Sequence, residues 1–68
     1  MKWIKIEDAT PEQLEEEVLG LNANNNEILL GYYTIESRYK VPMIEMDSVS
    51  LLNPTHIIPR SDLINIKD

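Results

Sequence analysis

Between Val18 and Ile35 the chain reads Val-Leu-Gly-Leu-Asn, then Ala-Asn-Asn-Asn, then Glu-Ile-Leu-Leu-Gly-Tyr-Tyr-Thr-Ile. Two apolar runs of strand length flank a cluster of asparagines, the residue that tolerates left-handed backbone best after glycine. The pattern predicts a β-hairpin folded back at the Asn24-Asn25-Asn26 triplet, with Leu19 and Leu21 alternating against Gly20 and Asn22 on the first arm. The second arm, residues 28–35, is apolar on both sides: Ile28, Leu30 and Tyr32 on one, Leu29, Tyr33 and Ile35 on the other. A strand coated this way is expected at the centre of a sheet, with something packed over each face.

The remaining segments fill in around that hairpin. Trp3 to Ile6 alternates, with Trp3 and Lys5 on one side and Ile4 and Ile6 on the other, and predicts a short strand. Thr10-Pro11-Glu12-Gln13 has the composition of a helix start. Thr10 caps, Pro11 suits the first position, Glu12 favours the dipole and Gln13 completes a capping box. The helix predicted is one or two turns long with Leu14 inward. A rival reading continues it through Leu19 and ends it at Gly20; the alternation favours a switch to strand near Glu17. Beyond Ile35, Glu36-Ser37-Arg38 is a polar turn, and Tyr39 to Met46 is a strand that Pro42 confines to an edge or makes irregular. Leu51-Leu52 leads into an Asn53-Pro54 turn, Thr55 to Pro59 is a short strand, and Arg60 to Asp68 is either a last strand or a helical turn. The fold class expected is therefore β-rich α+β: one small domain over residues 1–68, a twisted antiparallel sheet of about four strands with one short helix.

At 68 residues this is close to the smallest chain that buries enough surface to fold alone. Phe is absent, so the core must be built from Ile, Leu, Val and Met, with Trp3 and Tyr32 expected to be buried among them. No Cys is present, which excludes disulfides and thiolate metal sites. Homodimerisation is then one route to added stability. Met43, Met46, Leu51 and Leu52 could supply the apolar patch that seals it. The net charge of −6 argues against direct nucleic-acid binding and against anionic membrane surfaces, and it favours a protein partner with a basic surface. The N-terminal residues contain no apolar run of signal-peptide length, so the expected location is cytoplasmic.

No motif for catalysis stands out. His56 is the only histidine, and acid–base or metal chemistry would need partners that the sequence does not offer, so a structural role is preferred. Glu12, Glu15, Glu16 and Glu17, with Glu7 and Asp8, concentrate acid in the first quarter of the chain. Paired carboxylates can serve glycoside hydrolysis or cation binding. Here neither an aromatic cleft nor a calcium-loop pattern accompanies them, and a solvated helix face explains most of the run. The specific use worth carrying forward is a contact surface: Glu12, Glu15 and Glu16, joined by Tyr33 and Tyr39, are the candidate partner-binding residues. No catalytic, cofactor-binding or metal-ligating residue is assigned.

Trp3-Ile4, Pro11-Glu12, Val18-Leu19, Gly31-Tyr32 and a closing Thr55-His56 with Pro59 together resemble a short phage and prophage family, catalogued as domain of unknown function 551. The chain differs from that pattern at Ile57, where members commonly carry Trp, and at Arg60, which follows Pro59 in place of Leu-Pro. The resemblance implies a small β-rich fold and a phage or prophage setting, hence the cytoplasm of a bacterial host. It carries no chemistry. Two functions are expected from these features: an accessory protein that binds and inhibits a host defence factor, or a self-associating structural or assembly protein.

Overall fold

The computed structural model describes residues 2–64. A short strand and two helical turns precede five consecutive strands, and a final helical turn follows them. The strands are β1 (Ile4–Lys5), β2 (Val18–Asn22), β3 (Glu27–Ile35), β4 (Pro42–Met46), β5 (Val49–Leu52) and β6 (His56–Pro59). Helix α1 spans Pro11–Glu15 and α2 spans Arg60–Ile64, and a 3-10 turn covers Ile6–Asp8. The sheet runs β1-β6-β2-β3-β4-β5, and each neighbouring pair is antiparallel.

Helix α1 starts as its sequence dictates. The Thr10 hydroxyl accepts from Gln13 N–H, and Gln13 Oε1 accepts from Thr10 N–H, which closes the capping box with Pro11 at the first position. Its C-terminal neighbour Glu16 is already extended, at φ −89° and ψ 169°. Strand β2 begins at Val18, so the switch near Glu17 is observed and the longer helix is not. The β2–β3 hairpin pairs Asn22 with Glu27 and turns through residues 23–26, with Asn26 at φ 61°. The asparagine side chains hold the turn: Asn22 Oδ1 accepts from Asn24 N–H, and Asn25 Oδ1 from Glu27 N–H.

Strand β3 is shared between two halves of the sheet. Glu27 to Gly31 pair with β2, and Tyr32 to Ile35 pair with β4. At the change-over, a Cβ on Gly31 would collide with the Glu45 carbonyl of β4. A Cβ on Gly20 would lie 2.6 Å from Ile44 Cγ1. Both glycines thus admit β4 against β2 and β3, and the sheet curls over a single interior. Val18, Ile44, Leu51 and Ile57 form that interior, with Ile4, Ile6, Ala9, Leu14, Leu29 and Tyr33 packed against it. Burying each such aliphatic side chain contributes about 1.5–3 kcal/mol.

The observed sheet corrects the expected one at three points. It has six strands where about four were expected: a two-residue β1 lies outside β6, and the segment after Lys40 forms a hairpin of two strands. That hairpin turns at Asp47-Ser48, with Asp47 at φ 55° and no glycine to mark it. The second correction concerns β4, which lies between β3 and β5 despite Pro42. Pro42 is tolerated because it is the first residue of the strand, and its carbonyl accepts from Asn53 N–H. Third, β3 is central but covered on one face only. The tail forms a helical turn over Arg60–Ile64, and the expectation for Ile66 lies outside the described residues.

Candidate interaction surface

Alternation along the paired strands assigns every residue to a face. Val18, Gly20, Leu29, Gly31, Tyr33, Ile44, Leu51 and Ile57 point into the curl; Leu19, Leu21, Ile28, Leu30, Tyr32, Glu45, Ser50, His56 and Ile58 point away from it, and of these Ile58 is fully buried, so the outer face is covered at β6 and open along β3. Across the outer face, Leu30 is opposite Leu19, Ile28 is opposite Leu21, and Tyr32 is opposite Glu45. Ile28, Leu30 and Tyr32 are 60%, 42% and 54% exposed, so one side of β3 presents a continuous apolar stripe. Helix α1 does not cover it, because Leu14 packs against the interior cluster.

The five candidate contact residues do not converge. Glu12 and Glu15 are exposed on α1. Glu16 is half-buried and engaged within the fold: its carboxylate accepts from Ser61 N–H at 2.8 Å and from the Ser61 hydroxyl at 3.4 Å. Its neighbour Glu17 pairs with Arg60 at 3.3 Å and accepts from Arg60 N–H through its own carbonyl. The last two residues of the acidic run, Glu16 and Glu17, which follow the helix, therefore anchor the start of α2. Tyr33 is half-buried against the interior cluster. Tyr39 is 73% exposed in the turn between β3 and β4, where Arg38 lies over its ring and Glu36 accepts from its N–H. Among the described residues, no hydrogen bond or ion pair joins any two of the five.

Trp3 and Tyr32, expected in the core, are 37% and 54% exposed. The reason for Tyr32 is register. Gly31 faces inward, so Tyr32 must face outward, and Tyr33 takes the interior place. His56 lies on the outer face between Lys5 and Leu21, and its Nδ1 is 2.7 Å from Thr55 Oγ1. Thr55 Oγ1 also receives Ala23 N–H, and Thr55 N–H reaches the Leu21 carbonyl, so the pair ties β6 to the end of β2. The arrangement serves the fold. Among the described residues, no three His, Cys, Asp or Glu side chains come together as cation ligands, and no helix is long and apolar enough to cross a membrane.

The sequence reading missed the exposure of the β3 stripe. It did place Ile28, Leu30 and Tyr32 on one face, but nothing in a strand apolar on both sides tells which face turns inward. The two inward-phased glycines carry that signal. No protein-family model matches this chain, and neither a curated protein nor a solved structure does.

Proposed function

We propose that this chain is a phage or prophage accessory protein that acts by binding another protein and carries out no catalysis. The observation that supports the reading best is the stripe of Ile28, Leu30 and Tyr32, an exposed apolar row on a central strand. Such rows mark contact sites, and an aromatic such as Tyr32, at the end of this one, is a typical source of binding energy. Glu45 borders Tyr32, and the chain as a whole carries −6, so the partner that fits is apolar at its centre and basic at its rim. A host defence factor with a basic surface meets that description, and the resemblance to the phage family supplies the setting. The Thr55–His56 bond favours a structural histidine over a catalytic one.

Affinity capture from a bacterial host lysate tests the proposal, using the native chain beside a Leu30→Lys/Tyr32→Lys variant. The expected result is one specific protein held by the native chain, released by raised salt, and not held by the variant. Circular dichroism should show that both are folded. Equal capture by the two would sink the stripe as the contact surface. Binding indifferent to salt would remove the basic rim.

A further inference from the structure

The sheet ends at β5, and the geometry of that edge points to a second copy of this chain. The β4–β5 hairpin pairs Met46 with Val49, Glu45 with Ser50, Ile44 with Leu51 and Met43 with Leu52. With a two-residue turn at Asp47-Ser48, and with Asn53 N–H donating to the Pro42 carbonyl at 2.9 Å, residues 49, 51 and 53 spend their backbone groups on β4. The N–H and C=O of Ser50 and Leu52 then point to the open side. One of these four is taken: the buried Asn22 reaches across and donates from Nδ2 to the Leu52 carbonyl at 3.0 Å. Among the described residues, Ser50 N–H, Ser50 C=O and Leu52 N–H meet no protein partner.

Natural sheets blunt such an edge with charge, proline or a bulge. This one has none of these. Residues 48–59 contain no Asp, Glu, Lys or Arg, and no proline lies within β5. Val49 and Leu52 are 55% and 51% exposed there. In a chain of net charge −6, a charge-free edge is what lets two copies approach.

We propose that β5 pairs with β5 of a second copy, antiparallel about a two-fold axis at Ser50, to join two sheets into one. In that register Ser50 faces its own counterpart and exchanges two N–H···O bonds with it, while Leu52 N–H reaches the carbonyl of the other Ser48. This is the favoured register because its two central bonds leave the Leu52 carbonyl to Asn22. It sets Asp47 opposite Asn53 and brings no like charges into opposition. The two Glu45 side chains are then three strand spacings apart, about 14 Å, beyond the screening length at physiological salt. The pairing uses a different surface from the β3 stripe, so it does not depend on the proposed partner.

Sedimentation over a concentration series decides it. The native chain is expected to move from 7.9 kDa towards twice that mass as concentration rises. Ser50→Pro removes an N–H that the fold does not use, at the cost of a fixed φ on an edge residue, and Val49→Lys puts charge on the edge; each should weaken association by about tenfold or more. Tyr32→Lys, on the outer stripe, should leave it unchanged, and circular dichroism checks that all three remain folded. A native chain that stays at 7.9 kDa up to millimolar concentration overturns the proposal. So does a dimer that survives both edge variants or is lost with Tyr32→Lys.

Discussion

The two faces of β3 are nearly equal in apolar content and opposite in fate. Leu29, Gly31 and Tyr33 turn into the curl and pack on Val18, Ile44, Leu51 and Ile57; Ile28, Leu30 and Tyr32 turn out and stay exposed. Hydrophobicity does not choose between them. The choice comes from shape: Gly20 and Gly31 lie on one face, and the space they leave is occupied by Ile44 and the backbone of β4. The inner face is therefore where substitutions should cost stability, and the outer face is where they should cost binding.

The largest effect is expected at Ile44. It is fully buried between the two glycines, so Ile44→Ala leaves a cavity that backbone on both sides prevents from closing. The expected loss is about 3–5 kcal/mol in a urea titration, most of what a domain of this size commands. A cost no larger than that of Leu30→Ala would erase the distinction between the faces.

The glycines sharpen the same comparison. Gly31→Ala should cost about 2–3 kcal/mol, because its new methyl group meets the Glu45 carbonyl in a paired strand. Gly20→Ala meets a side chain, Ile44 Cγ1, at 2.6 Å. Truncating that side chain makes room, so Gly20→Ala with Ile44→Ala should cost less than the two added separately, by about 1 kcal/mol or more. The Gly31→Ala and Ile44→Ala pair should show no such relief from the Glu45 clash. A double-mutant cycle at each glycine reads the difference directly.

Asn22 comes next. It is a polar residue buried on the inner face; its amide bridges to the Leu52 carbonyl of β5 while its carbonyl holds the Asn24 turn. Asn22→Ala leaves the Leu52 carbonyl without its amide donor and opens the seam between β2 and β5. An expected cost of about 1–3 kcal/mol follows, with faster amide exchange along β5 as its signature.

How much of this was legible in the sequence depends on the range of the interaction. The capping box at Thr10 and Gln13 and the asparagine turn involve residues within a few positions of each other, and both could be read directly. The Asp47-Ser48 turn could not, because an aspartate in left-handed backbone leaves no glycine signal. Pro42 misled because the rule against proline in central strands relaxes at a first residue. In the candidate site, Glu12 and Glu15 read as exposed and are so, whereas Glu16 meets Ser61 across 45 positions of sequence, a distance no local pattern spans. The inward turn of Tyr33 and the outward turn of Tyr32 were fixed by glycine packing against a strand that follows later in the chain.

The smallest stability effect, and the one that separates folding from function, is expected on the outer stripe. Tyr32→Lys keeps the aliphatic part of a long side chain over the sheet and puts its charge opposite Glu45, so it removes exposed ring without creating a cavity. Leu30→Thr keeps a β-favouring residue at a position already 42% exposed. Each should change unfolding free energy by no more than about 0.5 kcal/mol. If the stripe is retained for contact, the same variants must abolish partner capture. Together these results require that residues costing almost nothing to the fold cost the whole of the binding. A large destabilisation at Leu30 or Tyr32 would show instead that this face is already covered within the folded chain, and the contrast between the two sides of β3 would vanish.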